Sequence, residues 1–189
     1  MSTTAGFFGK AIAYGDFVAR RLPRSFVDPW DAWLRCGLLA SRATLGESWF
    51  DAFLTCPIWR YTLGSGICGD ATWAGVLMPS VDRVGRYYPL TVAAAGASTA
   101  AMRRWIDCGD DWYAGAETLA RLALREDFDA DALDAALDRL PSPGCAALAG
   151  WSLWWTCGGE NGEPRMLVSR GLPEAGRFAW LIAGDDACP

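Results

Sequence analysis

Histidine is absent from this chain. With it goes the side chain most often used as a general base near neutral pH and the usual nitrogen ligand of zinc. Ser-His-Asp and Cys-His catalysis are therefore excluded. Cysteine pairs are missing too: Cys36, Cys56, Cys68, Cys108, Cys145, Cys157 and Cys188 include no C-x-x-C, and several sit in apolar runs. An odd, scattered set of this kind reads as buried reduced thiols, with no metal site and no disulfide framework expected. No apolar stretch reaches the roughly 18 residues needed to cross a bilayer, so no membrane insertion is expected. The start, "MSTTAGFFGKA", has no charged n-region and does not read as a signal peptide. A soluble, cytoplasmic protein is expected. Basic charge is sparse, with 17 basic against 22 acidic side chains, a net charge of −5, and no basic run beyond "ARRLPR" at 19–24. That pattern carries no footprint for nucleic acid.

What the chain does have is apolar bulk. Its 189 residues are 52% hydrophobic and include 11 Trp and 8 Phe, enough for a substantial core in one domain spanning residues 1–189. "GFFGK" at 6–10 reads as a short strand, followed by a loop punctuated at Gly15-Asp16. In "VDPWDAWLRCGLLASRATLG", Asp28 is placed to cap a helix and Pro29 to occupy its first position. Trp30, Trp33, Leu34, Gly37, Leu38 and Ser41 share one helical face, and the helix is expected to end near Gly46. A shorter helix over "ESWFDAFLT" should stop at Pro57.

The period then becomes extended. Segments 58–63, 73–80 and 87–95 read as strands, and 73–78 is apolar on both alternating sets, which predicts a strand covered on both faces. Helical spacing returns over 98–140, with starts at Ser98 or Thr99, at Asp110 and at Asp129. Strand character resumes in "SLWWTC" and "RMLVS", and "RFAWLIAG" reads as a strand or short helix. Elements grouped in blocks predict an α+β (mixed α/β) fold: a single-layer, mostly antiparallel sheet with helices packed on its faces.

"GSGICG" at 64–69 matches the G-x-G-x-x-G dinucleotide fingerprint, and Asp82 lies at a suitable distance downstream. The fingerprint requires a helix next, and a strand ending in Pro79 follows instead, so a hairpin loop is expected and no cofactor. Asp110-Asp111, Asp127-Asp129-Asp131 and Asp185-Asp186 offer paired carboxylates, but they lie at helix starts or in the tail, where capping and solvation account for them. No enzymatic activity is expected.

"PSVDRVGRYYP" at 79–89 concentrates charge between two strands. An ion pair from Asp82 to Arg83 or Arg86 can simply fix the turn. Alternatively, the two guanidinium groups are displayed toward a carboxylate or phosphate on a partner, on a loop held rigid by the sheet.

"GFFGK", "GDFV", "WDAWL", "PIWRYTL", "WAGVLMPSVDRVGRYYPLTV" and "SLWWT" together resemble the TagF family, accessory proteins of the bacterial type VI secretion system. The likeness runs over nearly all of residues 5–183, and "GVLMPSVDRVGRYYPL" is its most specific block. "GKAIAYGDF" departs from the proline-containing turn expected there. The resemblance implies a non-enzymatic, cytoplasmic regulator that restrains type VI secretion after translation. It also implies a protein partner, the forkhead-associated scaffold of that system. The partner surface expected on this reading comprises Asp16 and Phe17 together with Ser80, Asp82, Arg83, Gly85, Arg86 and Tyr87. A sensor of small molecules or phospho-ligands using Arg83 and Arg86 as anion ligands is the alternative, and a carboxylate hydrolase a distant third. Trp33, Trp59, Trp73 and Trp180 are expected in the core, and Trp30, Trp112 and Trp155 are the first candidates for exposed aromatics.

Overall fold

The computed structural model describes residues 5–96, 111–143, 147–158 and 163–187. Within these residues seven strands form one sheet: β1 (Gly6–Gly9), β2 (Val18–Arg20), β3 (Trp59–Leu63), β4 (Thr72–Met78), β5 (Leu90–Gly96), β6 (Trp151–Trp155) and β7 (Met166–Arg170). Their order is β2-β1-β5-β4-β3-β6-β7, and every pairing is antiparallel. Among the described residues five α-helices accompany them: α1 (Arg24–Leu45), α2 (Trp49–Thr55), α3 (Asp111–Arg121), α4 (Ala130–Leu137) and α5 (Phe178–Ala183). The fold is a mixed α+β architecture, as the sequence blocks predict.

Both faces of the sheet are covered. On one, Trp73 and Leu77 of β4 join Trp59, Tyr61 and Leu63 of β3 under α1, α2 and α5. On the other, Ala74, Val76 and Met78 meet Trp112, Tyr113 and Ala116 of α3 and Leu133 and Leu137 of α4. The two-sided apolar pattern of β4 follows from this sandwiching. Tryptophan dominates the first layer, and its buried indole N–H groups find acceptors: Trp30 donates to Thr91 Oγ1 at 2.8 Å, Trp49 to Ser41 Oγ at 2.9 Å and Trp59 to the Leu181 carbonyl at 2.8 Å. Without those acceptors each buried donor would cost ~1–3 kcal/mol.

Helix α1 buries Phe26, Trp30, Trp33, Leu34, Gly37, Leu38 and Ser41, which matches the predicted face and extends it by one turn. Its start differs. The helix begins at Arg24, and Pro29 lies inside it rather than at its first position. Phe26 and Trp30, one turn apart and stacked at 5.3 Å, are both fully buried, and that packing draws the earlier turn into the helix. The carbonyl deprived of a partner by Pro29 belongs to Ser25, which is exposed and can turn to water. Gly37 has a packing role: a Cβ there would stand 2.1 Å from the Phe178 ring of α5.

Other expectations hold or shift locally. Asp129 caps α4, accepting from the Asp131 N–H at 3.0 Å. The closing segment is helix, α5. β2, read as loop, is a three-residue strand beside β1. Of the three tryptophans singled out for exposure, Trp30, Trp112 and Trp155 are all buried, whereas Trp151 is exposed and Trp180 half-buried. Cys36 is exposed on α1, contrary to the expectation of buried thiols throughout, while burial pushes the Cys56 and Cys68 thiols up to about 12. The helix expected from Ser98 or Thr99, the residue Asp110, and Cys108, Cys145 and Cys188 lie outside the described residues.

Candidate functional site

Two loops meet at the end of the sheet where β1 stops and β5 begins: residues 10–17, and the β4–β5 connection at 79–89. The second is a small hairpin of its own. Val81 and Tyr87 form a bridge, the Asp82 N–H donates to the Arg86 carbonyl at 3.1 Å, and the Gly85 N–H donates to the Asp82 carbonyl at 3.0 Å. Gly85 adopts φ 81, the left-handed conformation that favours glycine, and supplies the reversal.

Asp82 is the centre of this hairpin, with its side chain fully buried. Oδ1 accepts the Val84 N–H at 3.0 Å and the Arg86 N–H at 2.8 Å. Oδ2 accepts Arg86 Nε at 2.7 Å and the Lys10 ammonium. Burial alone would raise the carboxyl's pKa. The hydrogen bonds from Lys10, from the Arg86 backbone and side chain and from the Val84 amide outweigh it and hold the group well below the usual carboxylate range.

Lys10, the only lysine of the chain, is buried, and its ammonium also lies 4.9 Å from the Phe17 ring centroid. The loops are stapled further. Ser80 Oγ donates to the Lys10 carbonyl at 2.8 Å, the Arg83 N–H to the Tyr14 carbonyl at 2.9 Å, and the Arg86 guanidinium to the Gly15 carbonyl.

The predicted site residues divide accordingly. Ser80 and Asp82 are internal. Gly85, Arg83 and Arg86 are exposed, but Arg86 is committed to Asp82. Arg83 is exposed and makes no ion pair among the described residues. Asp16 is exposed and accepts the Phe17 N–H at 2.8 Å, and Phe17 stacks on Phe8 at 5.5 Å with its edge toward Tyr88 at 4.8 Å. Tyr87 is half-buried and faces α2, with its ring 5.3 Å from Phe50. The exposed surface around the hairpin thus combines Arg83 and Asp16 with the apolar side chains Phe17, Val84 and, on α2, Phe50 and Leu54. An apolar patch with a charged rim is the ordinary composition of a recognition surface.

Sequence reasoning missed Lys10, Phe50 and Leu54. A lone lysine closing an apolar strand was the available signal for Lys10. The α2 residues gave none, since one face of an amphipathic helix is read as core by default.

A cavity of about 530 Å³ adjoins the hairpin through Ser80 and Val81 and is lined further by Ile58, Met78, Glu117, Arg121 and Arg165. Arg83 and Arg86 do not line it. Glu117 is bound by Arg60 at 2.6 Å. The glycine loop 64–69 joins antiparallel neighbours β3 and β4, so the crossover helix of a dinucleotide site does not follow it. Of the carboxylates weighed for hydrolysis, Asp127 binds Arg125, Asp131 binds Arg20, and Asp185 accepts the Trp180 indole N–H. Among the described residues no three metal-ligating side chains come together, and no helix is long and apolar enough to cross a membrane.

The architecture is thus an antiparallel sheet between two helical layers, with buried Asp82 and Lys10 and the more exposed Arg86 fixing a charged hairpin at one end. Residues 6–140 match the model of the TagF N-terminal domain, which is associated with the type VI secretion system, and the chain belongs to that family. It is similar to the crystal structure of PA0076 from Pseudomonas aeruginosa PAO1, with 35% sequence identity and a TM-score of 0.87, over 96% of this chain and 95% of that one. Among curated proteins no relative matches.

Proposed function

We propose that this type VI secretion-associated protein is a non-enzymatic, cytoplasmic regulator. It restrains secretion after translation by binding a protein of the machinery, the forkhead-associated scaffold. The observation that supports this reading is the division of labour around Asp82: a buried carboxylate absorbs Lys10 and Arg86, and the hairpin it fixes presents Arg83 and Val84 beside Phe17. A guanidinium presented on a rigid loop next to exposed aromatic and aliphatic side chains is suited to a hot-spot contact with a carboxylate or phosphorylated partner. The same commitment of Arg86 weakens the sensor alternative, because only one of the two arginines is left to meet an anion.

The test is made in cells. Deleting the chain should raise the export of a type VI substrate at unchanged transcript levels. Re-expressing the wild type should restore restraint, whereas Arg83→Ala at equal abundance should not. Export that stays level or falls on deletion would overturn the regulatory reading.

A further inference from the structure

The two edges of the sheet are treated differently. At one, β2 is only three residues long and is guarded by charge: Arg20 pairs with Asp131 of α4, and Arg21 with Asp134 of α4 and with Asp138 just beyond its end. Short strands and charges are ordinary ways to block edge pairing. At the other, β7 is five residues long, contains no proline or bulge, and exposes Met166 and Val168 at 55% and 57%. Among the described residues no strand pairs with its outer side.

The register shows which backbone groups are left open. The Thr156 N–H donates to the Arg165 carbonyl and the Gly171 N–H to the Gly150 carbonyl. By the alternation of an antiparallel ladder, Arg165, Leu167, Ser169 and Gly171 direct their peptide groups to β6, and Met166, Val168 and Arg170 direct theirs outward. The side chains of Met166 and Val168 extend an apolar row that continues onto exposed Trp151, which lies opposite Arg170 on β6.

The charges along this edge indicate the occupant. Exposed Glu163 precedes the strand and exposed Arg170 ends it, and neither makes an ion pair among the described residues. The Arg165 guanidinium is turned inward, against Gly184. An antiparallel second copy therefore brings the Glu163 end of one strand beside the Arg170 end of the other. Centring the two-fold axis on Val168 gives full overlap, sets Val168 opposite Val168 and Met166 opposite Arg170, leaves Glu163 about three positions along the strand from the partner's Arg170, and places no like charges face to face.

We propose that β7 is a self-association edge: two copies of this chain pair their β7 strands antiparallel about a two-fold axis at Val168 and continue the sheet across the interface. Three strands separate β7 from β5 and the hairpin it leads out of, so the dimer leaves the Arg83 surface open and stands independently of the regulatory reading.

Sedimentation of the full chain should give twice the 20.4 kDa mass of one copy. Val168→Asp, which faces two carboxylates on the axis, should return it to one copy with an unchanged melting temperature. In a Cys36→Ser background, Val168→Cys should cross-link with itself on oxidation, because Cα atoms across a hydrogen-bonded pair lie about 5.5 Å apart, within disulfide reach. Met166→Cys should not, since its copies would be roughly 13 Å apart. A monomeric wild type, a dimer that survives Val168→Asp, or equal cross-linking of the two cysteine variants would each overturn the proposal.

Discussion

Asp82→Ala removes the centre of the knot and leaves four donors without their acceptor: the Lys10 ammonium, Arg86 Nε, and the Val84 and Arg86 amides. Arg86 is more than half exposed and can turn to water, so its contribution to the loss is small. Lys10, at 6% side-chain exposure, cannot turn out without opening the hairpin, and breaking a buried pair from one side costs ~3–5 kcal/mol. Lys10→Met should cost less, about 1–3 kcal/mol, because Arg86 and two amides still satisfy the carboxylate. In the double variant Lys10→Met/Asp82→Ala the stranded ammonium is gone, so its loss should fall short of the sum of the two single losses by a coupling of about 1–3 kcal/mol. Urea unfolding followed by tryptophan fluorescence measures all three. An Asp82→Ala variant within about 0.5 kcal/mol of wild type, or strictly additive losses, would refute the role given to this carboxylate.

The same carboxylate predicts a pH dependence. Its folded-state pKa is depressed, so its contribution is complete above the unfolded value of about 3.9 and drains as pH falls below that toward the folded value, at up to ~1.4 kcal/mol per pH unit. Acid titration of stability should therefore be shallower for Asp82→Asn below pH ~4, and parallel curves would contradict the assignment. Gly37→Ala should lose ~1–3 kcal/mol despite its better helix propensity, because the added methyl meets the Phe178 ring at 2.1 Å. A gain in the urea midpoint would show that α1 and α5 separate at no cost.

The sheet was legible where periodicity is long and local. β3 and β4, and the covered face of α1, announce themselves through runs of aromatic and branched side chains. β2 was not, because three residues cannot display a period and its pairing with Phe7–Gly9 is set by the turn between. The start of α1 was misplaced because capping chemistry at Asp28-Pro29 is a local signal, and burial of Phe26 against Trp30 and Trp73 overrides it. Trp155 is ambiguous for a related reason: a strand in a sheet covered on both sides buries residues of either phase. At the site, the charged hairpin was readable as a unit, but its third member was not. The union of Lys10 with Asp82 spans 72 positions and depends on β1 lying beside β5.

The most direct test is a calorimetric titration of the purified chain with the forkhead-associated scaffold of its own secretion system, paired with melting temperatures of the same samples. If the Asp82 knot serves to present Arg83, wild type binds saturably, Arg83→Ala binds at least about tenfold more weakly, and the melting temperature of the variant is unchanged, as expected for an exposed side chain without an ion pair. Equal binding by Arg83→Ala and wild type, or no binding by either, would contradict it.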